Sequence, residues 1–176
     1  MAAEIYGLVS GRDGKVRYVG ETSGACQDRF LEHLRRPNDC LRAWFHEEWR
    51  DGFPVRCFLL ERCAFDTRFA REGVWMARFP NLCNARISLQ NWASGASVTT
   101  HPRIPEIESW MTRFEWNVGG FRGIHRDRYS DQFIVFDWRR PLSPNRQFAV
   151  LSTAVEVRDS LKVLGLLDLT EDSRSR

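Results

Sequence analysis

Lysine is almost missing from this chain: of 26 basic residues only Lys15 and Lys162 are lysines, and the others are arginines. An arginine-rich coding bias is the plain explanation, and a preference for planar, bidentate phosphate contacts is the functional one. No apolar run approaches the roughly 18–20 residues that a bilayer-spanning helix needs, so no membrane partner is expected. The opening Met1-Ala2-Ala3-Glu4-Ile5-Tyr6 carries neither a basic region nor an apolar stretch, and an export signal is not expected from it. Cysteine pairs with metal-ligand spacing are absent too. Cys26, Cys40, Cys57, Cys63 and Cys83 form an odd set without a CxxC, so neither a disulfide framework nor a zinc ribbon is indicated. Free thiols in a reducing cytosol, hence a soluble cytoplasmic protein, are the expectation. Cys57 and Cys63 lie six apart on or beside one strand and are expected to face the same side. The net charge of +3 says little by itself for a nucleic-acid partner.

What is present is buriable surface. Twelve Phe, seven Trp and three Tyr among 176 residues support a packed core in one domain or two small ones. Residues 5–9 and 16–20 are β-rich runs on either side of a turn containing Asp13-Gly14, which signals a hairpin. Phe30, Leu31 and Leu34 recur at helical spacing between Cys26 and Arg36, with Pro37 as the stop. Asn38-Asp39 can cap a second helix ended by Asp51-Gly52; Val55–Leu60 reads as a strand and 66–79 as a third helix. The order β-β-α-α-β-α predicts an α+β fold with a small antiparallel sheet. A small, polar, proline-containing stretch then marks a linker. The divisions are residues 1–92, a linker at 93–104, and a second module at 105–176. That module is expected to hold a helix at 105–114, strands at 121–126, 132–138 and 146–152, and a helix at 154–164.

The candidate chemistry lies in the first 92 residues. Tyr6 and Tyr18 occupy the paired hairpin strands, Arg29 and His33 stand at i and i+4 on one helix, Glu72 lies on a later helix, and Asn84 follows it. Taken singly, such residues are most often packing or solvated surface. In order and spacing, Ile5-Tyr6, Tyr18-Val19-Gly20, Thr22, Arg29-Phe30-Leu31-Glu32-His33, Glu72 and Leu82-Cys83-Asn84 resemble the GIY-YIG nuclease superfamily across residues 3–90. The resemblance implies a catalytic set of Tyr6, Tyr18, Arg29, His33 and Glu72. In it Tyr6, assisted by Tyr18 and His33, deprotonates the attacking water, and Arg29 braces the scissile phosphate. Glu72 would hold one Mg²⁺ or Mn²⁺, Asn84 would support the site near metal and phosphate, and Lys15 could touch backbone phosphate. The chain departs from the pattern at Glu4, where the family usually has Gly; either an extra carboxylate near the site or a solvated sheet-edge residue could follow.

Residues 112–146 interleave seven Arg and four acids with Trp116, Phe121, His125, Tyr129, Phe133, Phe136 and Trp138. Such a mixture fits a sheet laid against nucleic acid, and equally the core and rim of a small β domain. Residues 120–165 resemble the three-strand-plus-helix DNA-binding domain named for the plant Apetala factors, which also occurs appended to mobile nucleases. That resemblance implies DNA contacts from Arg122, His125, Arg126 and Arg128. Together the two resemblances imply a metal-dependent DNA endonuclease of homing or restriction type. A non-catalytic DNA-binding protein retaining the nuclease fold, and a structure-specific repair or RNA nuclease, stay open. The sequence does not choose between monomer and homodimer.

Overall fold

The structure, a computed structural model, describes residues 2–84, 101–136 and 146–163. It is α+β, with two antiparallel sheets flanked by helices. Strands β1 (Ala2–Ser10) and β2 (Val16–Thr22) form the expected hairpin, followed by helices α1 (Cys26–Arg35) and α2 (Asp39–Arg50). Strand β3 (Val55–Ala64) and helix α3 (Arg68–Met76), led by a short 3-10 turn at Phe65–Thr67, complete the expected order. Most of the expected linker, 93–100, lies outside the described residues. Helix α4 (Pro105–Arg113) comes next, then strands β4 (Phe114–Glu115), β5 (Ile124–Asp127), β6 (Gln132–Val135) and β7 (Arg146–Phe148), and helix α5 (Leu151–Val163).

The first sheet has the order β2-β1-β3, so β1 is central and buried on both faces. Alternation along β1 sends Tyr6 and Leu8 to one face and Ile5 and Val9 to the other. The first face packs against Phe30 of α1 and Leu41, Trp44 and Phe45 of α2. Asn38 caps α2 as expected, its side-chain oxygen accepting from the Leu41 N–H at 2.9 Å. Helix α1 is capped from outside its own sequence: Glu4 on β1 accepts from the Cys26 N–H at 2.9 Å and pairs with Arg62 at 3.1 Å. Burial works against the Glu4 charge, yet the Cys26 N–H and the Arg62 guanidinium hold its carboxyl below the usual range. The carboxylate at position 4 is therefore a helix cap.

The opposite face changes the domain division. Ile5, Val9, Val16 and Val19 pack against Phe79 and against Ile107 and Trp110 of α4, so a boundary at residue 105 divides one shared core. The chain beyond α4 is tied down as well. The Asn117 side chain donates to Asp51 O at 3.0 Å, and the Gly123 backbone crosses Gly52 where a Cβ would stand. Gly52 has φ +77°, so both its conformation and this approach require glycine.

Two further expectations are corrected. A bulge at Leu60, opposite the Ile5/Tyr6 step, resets the alternation of β3, so Cys57 joins the α1/α2 side and Cys63 the α4 side. Leu151 and Ser152 open helix α5 instead of ending the last strand, and the two-residue β4 makes the second sheet four-stranded, in the order β4-β5-β6-β7. Helix α5 packs Ala154 and Leu161 against Ile124 and Val135.

Trp110 is only 6% exposed and closes the face behind the hairpin. Trp110→Ala is expected to lower the stability of the whole chain by about 3–5 kcal/mol, read from the urea midpoint. A loss below about 1 kcal/mol would contradict a core shared between the two halves.

Candidate functional site

Four elements meet at one cleft. Strand β1 supplies Tyr6, β2 supplies Tyr18 and Glu21, α1 supplies Arg29, and α3 supplies Phe69, Glu72 and Met76; Asn38 and Asn84 complete a lining around about 330 Å³. The α3 contribution follows from helical spacing, since positions 69, 72 and 76 share a face. Helix α1 lies on the sheet by its buried stripe Cys26, Phe30 and His33, which leaves Arg29 beside that stripe at the cleft wall.

Tyr6 is 1% exposed and still borders the cleft. That hydroxyl lies 2.8 Å from His33 Nε2, and the Tyr18 ring stands edge-on to His33 at 5.1 Å. Burial, then the neighbouring Tyr18, push the Tyr6 phenol far above its ordinary range, and Arg29 pulls only weakly the other way. Burial, then the Arg29 charge, bring His33 down to about 4. Both groups are therefore neutral near pH 7. In the tautomer that carries the ring proton on Nδ1, Tyr6 donates to Nε2.

Gly20 makes this arrangement possible. A Cβ at Gly20 would lie 2.5 Å from the Tyr6 hydroxyl oxygen and 2.8 Å from the Tyr18 ring, so the two tyrosines meet only across a residue without a side chain. Arg29 pairs with Glu32 one turn along α1, with both side chains about half exposed. Such a pair contributes about 0–1 kcal/mol, too little to keep the guanidinium from a phosphate. Burial and the nearby Glu72 raise the Tyr18 phenol, with Glu21 adding to the effect.

The structure brings Tyr6, Tyr18, Arg29, Glu72 and Asn84 to this cleft and puts His33 directly behind Tyr6. Asn84 also has a structural part in the cleft wall. Its side-chain oxygen accepts from the Val19 N–H at 3.0 Å and its amide donates to Val19 O, so it fastens the post-helix turn to β2. Lys15 does not reach the cleft; it lines a separate groove of about 540 Å³ with His101, Ile107 and Met111, its ammonium 3.5 Å from Asp13.

His125 is corrected outright. It is 3% exposed, packed edge-on to Trp116 at 4.8 Å, and its Nδ1 accepts from the Asn117 N–H, so it cannot reach DNA. Burial lowers it to about 3. Arg126 is held by Asp131 at 2.7 Å and Arg128 donates to Thr112 O at 3.0 Å, while Arg122 is exposed. None of these four lines the cleft. The sequence reading missed Glu21 and Phe69. Phe69 was within reach, standing three positions before Glu72 on the same helical face. Glu21 lies at the end of an edge strand, where alternation gives no signal.

No family model matches the chain, and neither does any curated protein or solved structure. The site's meaning rests on its own geometry.

The two buried histidines fix a pH dependence. Each has a folded-state value below the ordinary 6.5, so each favours the folded state above that pH and weakens it as pH falls toward about 4 for His33 and about 3 for His125. Urea midpoints are expected to fall from about pH 7 to about pH 5, each histidine accounting for on the order of 2 kcal/mol. His33→Gln and His125→Gln should each remove their share; a pH-independent wild type would contradict the assignment.

Proposed function

We propose that this protein is a divalent-metal-dependent endonuclease that hydrolyses DNA phosphodiester bonds. One observation carries the reading: Tyr6, Tyr18, Arg29 and Glu72, from four separate elements, converge on a single cleft, with Tyr6 hydrogen-bonded to His33. Two phenols, a guanidinium and a carboxylate around one small volume suit in-line attack of water on a phosphodiester better than they suit apolar ligand binding.

The raised Tyr6 phenol rules against a standing phenolate as base. A relay fits instead: Tyr6 takes the proton of the attacking water as its own passes to His33 Nε2 along the existing 2.8 Å contact. Neither group has to be ionised beforehand. Tyr18, edge-on to His33 and beside Glu72, holds that pair in register. Arg29 offers its fork to the phosphate oxygens and to the charge that develops on them.

The donors present fit a hard cation. Sites that act on phosphates hold Mg²⁺ by one or two carboxylates, completed by waters and substrate oxygens, and Glu72 with Glu21 supplies that number. Among the described residues no cluster of three or more ligating side chains gathers. When bound, Mg²⁺ or Mn²⁺ supplies a Lewis acid for the leaving 3′ oxygen, giving 5′-phosphate and 3′-hydroxyl ends. Arg29 also borders a second depression of about 430 Å³ with Arg35 and Arg36, which offers the flanking backbone phosphates a cationic path.

Plasmid nicking in Mg²⁺ tests the reading. Wild type is expected to nick, and Arg29→Ala and Glu72→Ala to lose at least about a hundredfold in rate. Gly20→Ala, which displaces the Tyr6 hydroxyl without removing any reacting group, should lose activity while Gly24→Ala does not. Equal rates in wild type, Arg29→Ala and Glu72→Ala would sink the proposal.

A further inference from the structure

Helix α3 turns Phe69, Glu72 and Met76 toward the cleft, and only Glu72 has a part in the chemistry above. Phe69 is 56% exposed and Phe65, just before the helix, is 37% exposed. Single exposed aromatics are ordinary on protein surfaces. This one is organised. The Arg68 guanidinium stands 3.7 Å from the centre of the Phe65 ring and 4.1 Å from that of Phe69. Its Nε is also 3.3 Å from Glu21, a second cleft carboxylate, and its side chain is only 19% exposed. Two aromatic rings and the cation that both of them contact form a braced group at the cleft wall.

A braced aromatic face next to a phosphate-binding guanidinium matches a nucleotide: Arg29 for the phosphate, Phe69 for the flat base attached to it. A cleft of about 330 Å³ is of small-molecule size, so it takes one nucleotide and not a duplex. Inside a duplex both faces of a base are covered by its neighbours. Only a base at a nick, flap, end or unpaired position, or one turned out of the stack, presents a face to a side chain.

We infer that Phe69, braced by Arg68 and Phe65, is the stacking platform for an unstacked nucleobase beside the scissile phosphate, so that the preferred substrate is DNA with such a base exposed. This rests on the nuclease reading and narrows it to a substrate class. Phe69 is a positioning residue here, acting through the base. Stacking on an aromatic ring tolerates every base, so the platform selects structure and not sequence.

The test uses the full chain in EDTA with a single-stranded octanucleotide carrying a central 2-aminopurine, whose fluorescence is quenched by stacking. Wild type is expected to bind and quench. Phe69→Ala should weaken binding by about tenfold and restore the fluorescence, and Phe69→Trp should keep both. Because Phe69 is exposed, its melting temperature should not change, which separates a lost contact from a lost fold. Unchanged affinity and quenching in Phe69→Ala would overturn the platform and leave the nuclease reading standing. Weaker binding without a fluorescence change would overturn it too, since the loss would then not come from the base. If wild type binds neither this probe nor plasmid DNA, the nuclease reading falls as well.

Discussion

A central strand with no free face is the constraint on which the structure turns. Strand β1 carries Tyr6 on one side and Ile5 and Val9 on the other, and both sides must be covered for its backbone to leave water. Helices α1 and α2 cover the first side and so deliver Arg29 and His33 to Tyr6. The second side needs Ile107 and Trp110, which arrive only after the long excursion through β3 and α3. The geometry of the cleft and the closure of the chain are thus consequences of one burial requirement. The second half of the chain is held in place by the same helix that seals the back of the site.

The electrostatics follow from the same enclosure. Burial raises Tyr6 and lowers His33, so each is held neutral where it lies. As a hydrogen-bonded pair they complement each other, since neither leaves an uncompensated charge in the interior. Carboxylates that must stay charged, Glu4 at the α1 terminus and Glu61 beneath Arg71 and Trp75, are held down by donors that face them directly. The fold separates a neutral buried pair from charged carboxylates nearer the surface by depth.

The first half was well written in local signals. Hairpin and helix starts and stops rest on spacing, turn residues and capping, which sequence displays directly; that Tyr6, Tyr18, Arg29 and Glu72 share one site was implied by the resemblance and not by any local signal. What escaped was tertiary. Nothing local says that Glu4 reaches across to Cys26, that Leu60 is an extra residue that reverses the strand's facing, or that α4 completes the first core. His125 misled for the same reason: among arginines and aromatics it reads as a surface residue, and only the position of Trp116 makes it interior. Asn84 stands at the cleft as expected, and its bonds to Val19 were not legible, since a side-chain amide looks the same whether it meets phosphate or backbone.

Those bonds of Asn84 bear on how the protein behaves in concentrated solution. Strand β2 lies at the edge of its sheet, and an open edge is a template for strands of other molecules. Asn84 takes both the N–H and the carbonyl of Val19, and the Cys83 N–H takes the Arg17 carbonyl, so the turn after α3 stands where a foreign strand would add. The same few atoms that fix the wall of the cleft also keep the hairpin from recruiting neighbours. A lineage that loosened this turn to gain a roomier site would meet self-association as its first obstacle.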